Sequence, residues 1–142
     1  MRWLLLDEIL VIERKVKASA RSHVPSSEFS PEILMMEMMA QTGALLLGAE
    51  TDYQEDLVFA KIEEASFNAP VKENQVIYIH ARPVNLRREG AQFEAWIENE
   101  SEKIAEARFL LMSVGHLIPE KEEPVTFHKV FMDYFRIREK IK

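Results

Sequence analysis

The 142-residue sequence contains no cysteine, which excludes a disulfide framework and any thiolate metal site and fits a reducing cytoplasm. Glycine is also scarce, with four in the whole chain, and they make up no Gly-rich loop of the kind that cradles phosphate. Positive charge is in short supply too: 18 Lys and Arg against 24 Asp and Glu give a net charge of −6. The basic residues are scattered rather than striped, so nucleic acid is not expected as a partner. The densest basic spot, Arg87 and Arg88 in "NLRREG", reads as a solvated turn. Uninterrupted apolar runs are missing as well. "MRWLLLDEILVIERK" is broken by Asp7 and Glu8 before any small-residue cleavage site, which makes it a poor signal peptide. "PEILMMEMMAQTGALLLG" is broken by Glu37 and Gln41 and lacks basic flanks, so no membrane span is expected. His23, His80, His116 and His128 show no tight carboxylate or cysteine spacing, so neither a metal nor another cofactor is expected.

What remains is a chain of 47% hydrophobic residues, sized for one domain with a substantial core. "IERKVKASAR" alternates, with Val16, Ala18 and Ala20 on one side, as a half-buried strand does. The polar "SHVPSSEFS" is a loop. It leads into a helix with Ser30 as N-cap and Pro31 at the first helical position, where a missing N–H costs nothing. The helix is expected to run to about Leu47 and stop at Gly48. From Leu57 the period changes to two, in segments separated by short turns; in "QFEAWIE", Phe93, Ala95 and Ile97 share one face. Short connections make the sheet mostly antiparallel. A helix apolar on all sides must be enclosed, and about five twisted strands are available to wrap it, giving an α+β fold. The part of the helix that one sheet leaves uncovered is expected to meet a second copy. Residues 1–115 would form this domain. Residues 116–142 would form a charged linker, "GHLIPEKEEPV", and one amphipathic helix with Phe127, Val130, Phe131, Tyr134, Ile137 and Ile141 along one side, packed on the domain or the dimer.

A carboxylate inside such a helix must be protonated, paired or turned to a polar cavity. Glu37 therefore either lies in an exposed groove, pairs across a dimer, or does chemistry. Gln41 is one turn on and can hydrogen-bond it. His23, fourteen residues upstream in the preceding loop, adds a base, and the helix start adds an unpaired backbone N–H. Those are three parts of a general acid–base site with an anion-stabilising donor. His80, His116 and His128 have no comparable partner and are assigned to structure or surface.

In "HVPSSEFSPEILMMEMMAQTGALLLG", His23, Pro25, Pro31, Glu37, Ala40 and Gln41 resemble the loop-and-helix motif of the FabZ-type β-hydroxyacyl-acyl-carrier-protein dehydratases, which have the hot-dog fold. "FAKIEEASFNAPVKENQVIYI" and "IAEARFLLMSV" are similar to that family's later strands. The resemblance implies dehydration of a (3R)-3-hydroxyacyl thioester, carried on acyl carrier protein, to the trans-2-enoyl thioester. It implies His23 as base and Glu37 as acid from opposite subunits of a homodimer or trimer of dimers, the Glu32 backbone amide at the oxyanion, Gln41 as support, and Met36 and Met39 lining the acyl tunnel. The chain departs from the family at Val24, Ser26, Glu28 and Glu32; the last places a negative charge beside the oxyanion site. The alternatives are a hot-dog thioesterase and a catalytically weak acyl-binding or assembly subunit.

Overall fold

The computed structural model describes residues 5–100, 102–120 and 124–142. Residues 1–4, Ser101 and residues 121–123 of the linker lie outside the described residues. The elements are β1 (Leu6–Glu13), β2 (Lys17–His23), α1 (Pro31–Ala49), β3 (Asp56–Phe67), β4 (Val76–Pro83), β5 (Gly90–Glu98), β6 (Lys103–Gly115), α2 (Lys129–Tyr134) and α3 (Ile137–Lys140). The strands form one antiparallel sheet in the order β1-β2-β4-β5-β6-β3.

Alternation along β5 buries Ala91, Phe93, Ala95 and Ile97 on one face, and these pack with α1 in a single core. The helix touches every strand, so the sheet curls around it as the sequence requires. Among the described residues there are six strands, against the expected five or so. The sixth is β1, whose buried residues Leu6, Ile9 and Ile12 repeat every third position because register shifts fall between Leu6 and Glu8 and between Ile9 and Val11. A period-two pattern cannot reveal a strand interrupted in that way.

Ser30 caps α1 as expected, its hydroxyl accepting the Ile33 N–H at 3.3 Å. The far end differs. Gly48 is not a stop; the helix continues to Ala49 and closes on Glu50 in right-handed conformation. Gly48 is small because something leans on it: an added Cβ would lie 2.5 Å from Cζ of Phe127 and 2.7 Å from Cδ1 of Tyr53.

Phe127 belongs to the tail, which forms two short helices instead of one. The break is at Arg136, in left-handed conformation with φ 53°. Phe127, Phe135 and Ile137 are buried, whereas Val130 and Tyr134, expected on the packed side, are 67% and 59% exposed. The fully buried Asp56 anchors the tail's start, accepting the Leu117 N–H at 2.8 Å and the Thr126 N–H at 2.6 Å. Burial pushes its pKa up, but the backbone N–H of Thr126 and of Leu117, followed by the Thr126 hydroxyl and the Val125 N–H, outweigh that and hold it below the usual carboxylate range. The tail's end lies against β1, where the Lys142 N–H donates to Ile12 at 2.7 Å.

Candidate active site

The least buried stripe of α1 runs through Ile33, Met36, Glu37, Gln41 and Ala44. Glu37 opens into an apolar groove of about 370 Å³, walled by Leu5, Phe29, Ile33, Met36, Phe59 and Ile62. Gln41 donates to Oε1 of Glu37 at 3.2 Å through Nε2, while its Oε1 accepts the Leu5 N–H at 3.2 Å. The Leu5 amide thereby fixes which end of the Gln41 amide faces Glu37. Burial raises the pKa of Glu37 above the usual carboxylate value, and the Gln41 hydrogen bond lowers it by less. The carboxyl therefore retains its proton to higher pH than a solvated glutamate, as a general acid must.

His23 lies at the end of β2 rather than in the loop. It does not line the Glu37 groove of its own protomer. Its Nδ1 is 2.6 Å from Oδ2 of Asp7. Sequence reasoning used Asp7 only as an interruption of an apolar run; the signal it missed is the β1 irregularity that places this residue beside His23.

At the helix start Pro31 has no N–H, the Ile33 N–H goes to the Ser30 hydroxyl and that of Leu34 to the Ser30 carbonyl. Among the described residues the Glu32 N–H has no acceptor, and its side chain is exposed. Met36 lines the groove. Met39 does not: it is fully buried in the core with Met35 and Met38.

His80, assigned to structure or surface, has two partners. Nδ1 is 2.8 Å from the Ser19 hydroxyl and Nε2 is 2.9 Å from Glu98, and the ring stacks on Trp96. These residues sit on adjacent strands β2, β4 and β5, so no linear spacing discloses them. Among the described residues no group of three or more His, Asp or Glu side chains could hold a metal, and no helix is long and apolar enough to cross a membrane.

A curved antiparallel sheet around one central helix, with an acid on the helix opening into an apolar groove, places this chain in the hot-dog class. Solved structures agree. The dehydratase heterocomplex ApeI:P from Xenorhabdus doucetiae superposes with a TM-score of 0.65 at 15% identity, covering 80% of this chain and 84% of that one. A hypothetical thioesterase with coenzyme A from Streptococcus pneumoniae gives 0.61 at 17%, covering 76% and 85%. At such identities the likeness shows the fold alone. No family model matches the chain. Sequence relatives are more specific. The 3-hydroxyacyl-acyl-carrier-protein dehydratase FabZ of Bartonella bacilliformis is 32% identical over 125 residues, covering 79% of this chain and 81% of that one. The bifunctional enzyme LpxC/FabZ of Chlorobaculum tepidum is 31% identical over 110 residues, covering 74% of this chain; this chain spans only 24% of that longer protein. The chain belongs to the FabZ dehydratase family.

Proposed function

We propose that this protein dehydrates (3R)-3-hydroxyacyl thioesters borne by acyl carrier protein to trans-2-enoyl thioesters, in the cytoplasm and within acyl-chain synthesis. Nε2 of His23 removes a proton from C2. The C2 electron pair closes the C2–C3 double bond, and the C3 hydroxyl departs as water with the proton of Glu37. The thioester oxygen gains charge as C2 loses its proton, and the Glu32 N–H at the N-terminus of α1 stabilises it. Met36 and the apolar walls of the Glu37 groove hold the acyl chain away from water. The observation that carries this reading is Glu37 itself, a half-buried carboxyl inclined to keep its proton and held by Gln41 at the mouth of an apolar groove.

Two features support a homodimer as part of the same reading. β3 is an edge strand with no second partner among the described residues, and Phe59, Ile62 and Ile33 beside the groove are exposed. Pairing β3 with its copy covers this surface and lets His23 of one subunit serve Glu37 of the other; three such dimers can associate further. In this reading the domain spans 1–115 and the rest is an extension, of which residues 124–142 pack on it.

Purified protein is incubated with a 3-hydroxyacyl carrier-protein thioester and the enoyl product followed. His23→Ala and Glu37→Gln each lower kcat by about 10²–10⁴-fold. Turnover unaffected by either substitution refutes the assignment. Release of free thiol identifies a thioesterase instead, and tight acyl binding without turnover identifies a binding subunit.

A further inference from the structure

One ring nitrogen of His23 is already engaged. Its Nδ1 lies 2.6 Å from Oδ2 of Asp7. A carboxylate only accepts, so Nδ1 carries the hydrogen, and in the neutral ring Nε2 is then the nitrogen with the lone pair. That is the tautomer a base requires. Asp7 reaches His23 through a backbone irregularity: Leu6 opposes Ser22 and Glu8 opposes Arg21, so Asp7 is the extra residue of a bulge. Bulges re-aim side chains. The backbone just before this one is tied down on two sides. The Ser22 hydroxyl donates to the Leu5 carbonyl, and the Leu5 N–H donates to Gln41, which in turn holds Glu37.

With side chains 39% and 47% exposed, the His23–Asp7 pair contributes little to folding as an ion pair. Its weight lies in orientation. The geometry points to Asp7 as the positioning residue of the reaction's base. It selects the Nδ1–H tautomer of His23, fixes the plane of the ring, and balances the imidazolium formed when Nε2 takes the C2 proton. This rests on the dehydratase reading above. Residues 5–7 then serve both halves of the chemistry, the base through Asp7 and the acid through Leu5 and Gln41.

Asp7→Asn keeps the shape and removes the obligatory acceptor. Two measurements on the full chain test it. In the first, long-range ¹H–¹⁵N correlations of histidine-labelled protein at pH 8 report the tautomer: wild-type His23 shows Nδ1–H, and Asp7→Asn moves the population to Nε2–H. In the second, Asp7→Asn lowers kcat at least tenfold with KM within twofold. Glu8→Gln, which breaks the 2.7 Å pair with Arg21 one residue along the same strand, leaves both readouts unchanged and controls for damage to β1. An unaltered tautomer and unaltered kcat in Asp7→Asn overturn the assignment. If the wild type itself does not turn over, the dehydratase reading fails, while the tautomer still decides what Asp7 does to His23.

Discussion

Replacing Gly48 by alanine tests whether the tail is fitted to the body atom by atom. Apolar carbons rest about 3.5–4.0 Å apart. The new methyl would stand 2.5 Å from Cζ and 2.6 Å from Cε2 of Phe127, and 2.7 Å from Cδ1 of Tyr53. Relieving that contact needs a retreat of about 1 Å. Tyr53 is tied by its hydroxyl to the Leu45 carbonyl at 3.0 Å, whereas Phe127, which makes the two shortest contacts, belongs to the terminal segment, so Phe127 moves the farther and the Tyr53 contact keeps part of the strain. Overpacking of this kind costs about 1–3 kcal/mol, and alanine returns about 1 kcal/mol over glycine inside a helix. The net loss is about 0–2 kcal/mol, up to roughly 8 °C in Tm at about 2–4 °C per kcal/mol. Phe127→Ala, which empties the space, costs about 3–5 kcal/mol. In that background most of the obstruction to the added methyl is gone, so the double variant is more stable than the sum of the single losses by about 1 kcal/mol or more. Thermal melts of the four proteins, with amide exchange at Phe127–Ile137, measure this. Strict additivity refutes the argument, and so does a Gly48→Ala loss that leaves tail exchange unchanged.

Glu37→Gln should cost activity and return stability. The folded protein holds the Glu37 proton more tightly than the unfolded chain does, so wild-type stability declines as pH rises above the ordinary value of 4.5. The variant is therefore about 0.5–2 kcal/mol more stable at pH 8 and gains little at pH 4; an equal gain at both would contradict the burial argument. Asp56 has the opposite sign. Its pKa lies below the ordinary 3.8, so the stability it supplies is complete above that pH and is lost as pH falls through the lowered value. Asp56→Asn leaves one of the Leu117 and Thr126 N–H donors without an acceptor, at about 1–3 kcal/mol. Amide protection at those two positions should weaken in the variant at pH 7 and in the wild type only under stronger acid. Protection of the wild type that persists undiminished once the Asp56 carboxyl itself is protonated counts against Asp56 as the anchor.

Elements whose causes are local could be read from the chain. Ser30 and Pro31 mark the helix start because a cap needs only its own neighbours, and Phe93, Ala95 and Ile97 mark β5 because its ladder with β6 is regular over those residues. Glu37 and Gln41 could be paired for the same reason, one helical turn separating them. What escaped depends on distant partners. Gly48 looks like a terminator until Phe127 is seen against it. The tail looks like one helix, yet Phe135 and Ile137 are both buried, and two positions apart they would face opposite sides of an unbroken helix. The left-handed Arg136 between them resolves that conflict. Asp7 was hidden because the bulge that carries it has no signature in an isolated strand, and His80 because Ser19 and Glu98 reach it across the sheet.

The two edges of the sheet are not equivalent. At β1 residues 141 and 142 cover part of the edge, with Ile141 bridged to Ile12 and the Arg14 N–H donating to the Lys142 carbonyl. At β3 no strand follows among the described residues. In the homodimer proposed above β3 pairs once, about a twofold axis, and both remaining margins are the β1 sides, covered only beside Ile12 and Arg14. In that proposed homodimer, edge-to-edge growth through β3 therefore stops at the pair. A unit open on both margins could add copies without limit and build a fibre. Trimming Ile141 and Lys142 would thus change more than the local fit of the tail: it would bare the backbone of Ile12 and Arg14 and lengthen the stretch of β1 open to another strand.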